Sequence, residues 1–131
     1  MDIKDINSRG DIEMLIKHFY EKVLKDDTIG IIFNKVVPID WGHHIPLIVD
    51  FWETILLDNP VYKSNAMEKH FHVNKMYPLK KEHFNAWLHL FTLTTDQYFK
   101  GPIAELAKKR ATSIALLMQI KMDELNNNSS L

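Results

Sequence analysis

The chain has 131 residues, of which 25% are charged, a formal net charge of −1 and no cysteine. This length predicts one domain with a sizeable core, and the near-neutral charge gives no electrostatic basis for binding nucleic acid or an anionic membrane surface. The lack of cysteine excludes disulfides, iron–sulfur clusters, thiolate ligation of a metal and a cysteine nucleophile.

The first strong pattern predicts a helix over residues 11–25. Ser8 can cap it, because Asp11 follows three residues later, in the position of a capping box. Apolar residues recur along one face at helical spacing, and Tyr20 borders that face. The apolar residues at 29–33 predict at most one further helical turn.

A second helix is predicted to open at Pro38 and Asp40 and to run to about residue 57. Its apolar stripe holds His44 at a position where the helical period calls for a hydrophobic residue. Pro46 has no backbone N–H to donate, so we expect it either in the first turn or at a kink.

The segment 61–74 has no regular period, but Asn65 can cap a short helix there. That helix would carry Met67, His70 and Phe71. A segment of this length between helices is more than a small helical domain needs, and such segments are often functional.

Two further helices are predicted over residues 80–99 and 102–125, and Trp87 lies on the apolar face of the first. Residues 126–131 are polar and of low complexity, which predicts a disordered tail. The sequence therefore predicts an all-α domain over residues 1–125, with four main helices.

Four of these segments place a side chain that ends in a polar group on an apolar face: Tyr20, His44, His70 and Trp87. Taken singly, each is most simply a core residue whose polar atom meets a neighbouring carbonyl. A buried ligand that is mostly apolar with a polar centre would explain them together. Haem is such a ligand, and a neutral imidazole on a short helix suits its iron.

Zinc is a less favoured alternative. His70 and His72, together with His43 and His44, could supply imidazole ligands. However, residues two apart diverge on a helix, and the sequence contains neither cysteine nor a His-Glu-x-x-His motif.

Six anchors occur in order between about residues 6 and 122. They are Phe19-Tyr20-Glu21-Lys22-Val23, Gly30 to Phe33, Trp41-Gly42-His43-His44, Phe51-Trp52, His70 and His83-Phe84-Asn85-Ala86-Trp87-Leu88. Together they resemble a truncated haemoglobin, and most of all the third group of that family, because the Gly-Gly pairs typical of the other groups are absent. The resemblance implies a two-over-two helical sandwich around haem b.

The resemblance also implies roles for individual residues. His70 is similar to the proximal iron ligand, with His72 as the alternative because the following segment is longer than usual. Tyr20, His44 and Trp87 fall on distal positions and would carry any catalysis. The residues implied to contact the haem are Phe33, His44, Ile48, Trp52, Tyr62, Met67, Phe71 and Trp87. Lys69, Lys75 and Tyr62 are near enough in sequence to the proximal segment to be candidates for contacts with the haem propionates.

Distal donors would slow the release of a diatomic ligand, since a hydrogen bond to a charged group is worth about 1.5–3 kcal/mol. The resemblance thus implies a five-coordinate haem that binds dioxygen, nitric oxide or carbon monoxide. It favours nitric oxide dioxygenase-like or peroxidase-like chemistry, served by an unidentified reductase, over bulk oxygen transport.

Three alternatives stay open. His44 could itself occupy the sixth position of the iron. The protein could be a haem-based sensor or electron-transfer protein that acts through a separate partner, or a haem-free helical interaction module. The first residues lack the apolar core of a signal peptide, and no stretch is apolar enough to span a membrane. We therefore expect a cytoplasmic protein without membrane or nucleic-acid partners.

Overall fold

The structure of the chain is a computed structural model that describes residues 3–36, 40–63, 70, 73–75 and 77–129. Within these ranges there is no strand, and the all-α prediction is confirmed. The main helices are α1 (Arg9–Lys25), α2 (Trp41–Leu56), α3 (Lys81–Tyr98) and α4 (Pro102–Ser129), with a turn of π-helix at Ile32–Val36. No described helix is long and apolar enough to cross a membrane.

Helix α1 begins as its cap predicts. The side chain of Ser8 accepts a hydrogen bond from the backbone N–H of Asp11 at 3.2 Å, which satisfies one of the free donors of the first turn. The helix buries the predicted apolar face, and Tyr20 is buried with it. Helix α1 therefore fixes Tyr20 on the side of the helix that faces the rest of the molecule.

Helix α2 begins at Trp41, with Asp40 at the N-cap position, so Pro46 lies inside the helix beyond its first turn. The proline ring cannot donate the hydrogen bond that the carbonyl of Gly42 would normally receive. His44 precedes Pro46 and is still in the opening turns, where its own N–H donates to the carbonyl of Asp40 at 2.8 Å.

Helix α4 is longer than the sequence predicts. Residues 126–129, expected to form part of a disordered tail, continue the helix. One physical reason is a contact with the segment before α3, in which the amide of Asn74 donates to the side-chain oxygen of Asn126 at 2.9 Å. The polar composition of residues 126–131 predicted a disordered tail, because composition alone cannot reveal that Asn74 contacts Asn126.

The core lies where α1 packs on α2 and α3, and α3 packs on α4. Trp52 of α2 stacks on Phe91 of α3 with ring centres 4.8 Å apart, and Phe19 of α1 meets Phe91 edge-on at 5.5 Å. Helix α4 contributes the small residues Ala104, Ala107 and Ala111, all at most 1% exposed. Small side chains allow close approach of the helices, so the aromatic rings fill the centre.

An ionic contact fixes the start of α1 against α2. One guanidinium nitrogen of Arg9 donates to Asp50 at 2.7 Å and to Glu53 at 2.8 Å. The Glu53 side chain is only 8% exposed and also accepts a hydrogen bond from Asn59. These carboxylates hold the Arg9 pKa above its ordinary value, mainly through the hydrogen bond to Glu53.

Candidate functional site

Tyr20 lies in a cluster of rings drawn from three segments of the chain. Its ring centre is 5.2 Å from that of Trp41, 5.6 Å from that of Phe33 and 6.1 Å from that of His44. Trp41 also lies 5.5 Å from His44. The end of α1, the π-helical turn and the start of α2 thus bring together three predicted pocket residues and one tryptophan to which the sequence assigned no role. We call these four residues the distal cluster.

The hydroxyl of Tyr20 is the polar centre of the distal cluster. Burial raises the pKa of this phenol above its ordinary value, so it stays protonated and remains a hydrogen-bond donor across the physiological range. Within the described residues it forms no hydrogen bond. Every fully buried side-chain oxygen or nitrogen of the described residues, by contrast, has a hydrogen-bond partner. The hydroxyl oxygen is therefore not fully buried, and it can donate a hydrogen bond to a ligand that approaches it.

Trp87 is joined to the distal cluster through one intervening ring. It is half-buried on α3, meets Phe19 edge-on at 5.9 Å and stacks on Phe91 at 5.6 Å. Phe19 in turn lies 4.9 Å from Tyr20. No direct ring contact between Trp87 and Tyr20 occurs in the described structure. The two donors therefore sit on either side of Phe19.

A mostly apolar cleft of about 360 Å³ opens between α2 and α4. Its lining residues are Phe51, Ile55, Arg110, Ser113, Ile114 and Leu117. Phe51 and Ile55 follow His44 and Ile48 at helical spacing, so the cleft continues the α2 face that carries both. The sequence assigned neither Phe51 nor Ile55 to a pocket, although their place on the same stripe was the available signal.

Three other residues predicted to contact a haem are described. Ile48 is half-buried and packs against the main core. Trp52 is 3% exposed and stacks on Phe91, so its described contacts are those of a core residue. Tyr62 is half-buried, meets Phe51 edge-on at 5.3 Å, and is held by a backbone hydrogen bond to the hydroxyl of Thr54.

The segment predicted to ligate iron is described only in part. His70 is helical and its side chain is exposed, so the imidazole is not enclosed in the apolar core. Residues 73–75 are also helical, and Lys75 is exposed. Four residues with predicted roles lie outside the described residues: Met67, Lys69, Phe71 and His72. Among the described residues, no three His, Asp or Glu side chains form a group that could hold a metal ion.

His83 has a structural role that the sequence missed. It is 8% exposed, and its Nδ1 accepts a hydrogen bond from the N–H of Lys80 at 2.8 Å. This contact caps α3, and burial lowers the pKa of the imidazole. The signal was its place three residues after the N-cap, where Glu or Gln usually completes a capping box.

Comparison with known proteins gives one consistent family. The chain is 31% identical over 118 residues to a group 3 truncated hemoglobin of Campylobacter jejuni, which covers 88% of this chain and 90% of that protein. It is also similar to the crystal structure of a group III truncated hemoglobin from Campylobacter jejuni, with a TM-score of 0.78, 31% identity, and coverage of 93% of this chain and 95% of that one. A search of protein-family models found no match. The chain is therefore a member of the truncated haemoglobins, in the third group of that family.

Proposed function

We propose that this globin binds haem b and uses the distal cluster with Trp87 to hold a diatomic ligand or peroxide for chemistry rather than for bulk transport. Family membership implies a haem cofactor. The chain's own residues fit such a group, because an apolar cleft continues the α2 face that carries His44 and Ile48. The observation that carries the proposal is the protonated Tyr20 hydroxyl, which has no hydrogen-bond acceptor among the described residues.

When bound, haem b would supply an iron that holds the ligand and exchanges electrons with it. Tyr20 would then donate a hydrogen bond from its hydroxyl to the ligand, beside the half-buried rings of Phe33 and Trp41, which would limit the access of water to that bond. In a dry site such a bond is stronger than in water. The raised pKa of Tyr20 means that its hydroxyl stays protonated, and so remains a hydrogen-bond donor, at neutral pH.

Trp87 and His44 would serve the same ligand in different ways. The indole of Trp87 can only donate, so it suits an acceptor ligand that carries partial negative charge. The imidazole of His44 can donate or accept, and as a side chain in the first turns of α2 it is placed to act as a gate or as a third polar contact. On the iron itself we propose the imidazole of His70, which the apolar core does not enclose.

The strength of these contacts favours chemistry over transport. Each hydrogen bond to a charged ligand is worth about 1.5–3 kcal/mol, or roughly ten- to a hundredfold in affinity. Two such donors would retain oxygen too long for a carrier. Retained oxygen can oxidise nitric oxide, and the same donors can orient peroxide.

The decisive experiment compares oxygen dissociation from the ferrous protein with that from its Tyr20→Phe variant. Loss of the hydroxyl should accelerate release by roughly tenfold or more. Tyr98→Phe is the matched control, because Tyr98 stacks on His18 at 4.5 Å, outside the distal cluster. Unchanged release in the Tyr20 variant would contradict the donor role.

The iron ligand is tested by the visible absorption spectrum of purified protein. His70→Ala should lose the intense porphyrin band or its normal coordination, whereas His89→Ala, at an exposed position on α3, should keep both. If His72→Ala has the effect expected of His70→Ala, the proximal assignment moves to residue 72.

A further inference from the structure

Three rings of the distal cluster form a closed triangle of contacts. The ring centre of Trp41 is 5.2 Å from that of Tyr20 and 5.5 Å from that of His44, and the ring centres of Tyr20 and His44 are 6.1 Å apart. The imidazole plane lies at 75° to each of the other two rings. His44 therefore contacts a buried phenol of α1 and a tryptophan of its own helix, so a rotation of its side chain alters both contacts.

The backbone of His44 is fixed in the opening turns of α2, where its N–H donates to the carbonyl of Asp40 at 2.8 Å. The imidazole can therefore move only through its side-chain torsions. Helical side chains lean toward the N-terminus of their helix and cover the residues three and four positions earlier. For His44 these residues are Trp41 and Asp40, so the helix directs the imidazole onto the tryptophan ring.

Trp41 is itself held from more than one side. It is half-buried, packs against the main core and lies 6.2 Å from Phe33 of the π-helical turn, with the two ring planes 31° apart. Phe33 in turn lies 5.6 Å from Tyr20. The proposed function gives Trp41 no hydrogen bond to the ligand, although its ring contacts the two polar residues that have one. Its contribution to the site is therefore packing.

We propose that Trp41 is a positioning residue of the distal site: its ring holds the His44 imidazole beside Tyr20, so that His44 is a fixed polar contact to the ligand rather than a freely swinging gate. This inference rests on the proposed haem binding. Contacts between inclined aromatic rings are directional, because the positive edge of one ring meets the negative face of the other. Two such contacts on one imidazole therefore favour a single orientation.

A held imidazole and a freely turning one give a bound ligand different surroundings. With the Trp41 ring present, the ligand meets one arrangement of Tyr20 and His44. Without it, the imidazole can occupy several side-chain rotamers, and the ligand meets several arrangements. Carbon monoxide is a suitable probe, since its C–O stretching frequency depends on the polar groups around it.

The test records the infrared C–O stretching band of the ferrous carbon monoxide complex. Trp41→Leu keeps apolar bulk but removes the ring, so the band should broaden or split, whereas Trp41→Phe should stay close to the wild type. The band should narrow again in Trp41→Leu/His44→Leu, because the imidazole that was released is gone. Tyr98→Leu is the matched control, since it removes a ring that stacks on another histidine, His18, outside the distal cluster, and it should leave the band unchanged.

The rate of carbon monoxide association measures the coupling between the two residues. His44→Leu should change this rate by a factor that is roughly threefold smaller in the Trp41→Leu background than in the wild type. The same factor should be unchanged in the Tyr98→Leu background. A full effect of His44→Leu in both backgrounds would contradict the proposal.

The remaining outcomes each decide a specific point. His44 has a further interaction besides these ring contacts, and an unchanged band in Trp41→Leu would show that this interaction, not Trp41, orients the imidazole. A broad band that persists in the double variant would show that Trp41 supports Tyr20 or the fold instead.

A measurement on the wild type keeps the proposal testable if Trp41→Leu does not fold. Nuclear Overhauser effects between the ring protons of Trp41 and His44 in the carbon monoxide complex would support the held imidazole, and their absence would overturn it. A wild-type protein that binds no haem would contradict the proposed function instead, and its absorption spectrum would reveal this before carbon monoxide is added.

Discussion

Removal of the Asp5 carboxylate should destabilise the fold through the start of α4. This carboxylate accepts hydrogen bonds from the N–H of Ile103 at 3.0 Å and of Ala104 at 2.8 Å, so it caps a helix that begins almost a hundred residues later. An N-cap acceptor is worth about 0.5–2 kcal/mol, and a carboxylate at a helix N-terminus adds about 0.3–1 kcal/mol. We expect Asp5→Ala to lower the free energy of unfolding by about 1–3 kcal/mol. Asp5→Asn, which keeps one acceptor oxygen, should cost roughly half as much.

The loss of unfolding free energy caused by these Asp5 substitutions should depend on pH. Burial opposes ionisation of Asp5, but the hydrogen bonds from Ile103, Ala104 and Ile6 outweigh it and lower its pKa from the ordinary 3.8. Because the folded pKa lies below the unfolded one, the carboxylate stabilises the fold above the unfolded pKa. This stabilisation is lost as the pH falls through the folded pKa.

Urea unfolding followed by far-ultraviolet circular dichroism would measure both effects, at about pH 7 and about pH 3. Asp123→Asn, at an exposed position on α4, is the matched control and should be close to neutral. The reasoning is refuted if Asp5→Asn costs the same at both pH values, because a protonated Asp5 and an asparagine should cap α4 about equally well.

Two further substitutions test contacts that orient the helices. Gly101→Ala should lower the stability of the fold at least as much as Asp5→Ala, since residue 101 has φ of +146° and an added Cβ would lie 2.5 Å from the Asp5 carboxyl carbon. In an Asp5→Ala background that carboxyl carbon is absent, so thermal unfolding should show a smaller loss of stability from Gly101→Ala. Arg9→Met should cost more than Glu53→Gln, on the order of 2–4 kcal/mol against about 1 kcal/mol. The first change leaves the Glu53 carboxylate, which is 8% exposed, with no positive charge beside it and only Asn59 as a donor, whereas the guanidinium left by the second change is 39% exposed and keeps Asp50. Equal shifts of the two denaturant midpoints would contradict this reasoning.

The helices were predictable because their signals are local. The Ser8 cap and the apolar period of α1 each lie within a few residues of the feature they define, and the structure has α1 beginning after Ser8 and α4 beginning at Pro102, where the sequence predicts a helix to begin. The end of α4 was not predictable, because Asn126 is held by Asn74, and no local pattern links residues so far apart.

The site was predictable at the level of residue types and only partly at the level of contacts. Tyr20 and His44 were singled out because polar tips on apolar stripes are unusual, and the structure has their rings 6.1 Å apart. The ring of Trp41 between α1 and α2 was missed because an aromatic residue at the start of a helix gives the same pattern whether it packs in a core or lines a pocket. Cleft residues Phe51 and Ile55 were missed because an apolar stripe has the same sequence pattern whether it packs in a core or lines a cleft.

The core and the proposed ligand pocket use the same rings, so stability and ligand chemistry are coupled at Phe19. This fully buried ring contacts Tyr20 on one side and Trp87 and Phe91 on the other. Because protein interiors are close-packed and hard to compress, the packing of Phe19 sets the spacing between the two proposed donors, Tyr20 and Trp87. The packing of the Phe19 ring therefore keeps Tyr20 and Trp87 apart, on separate helices.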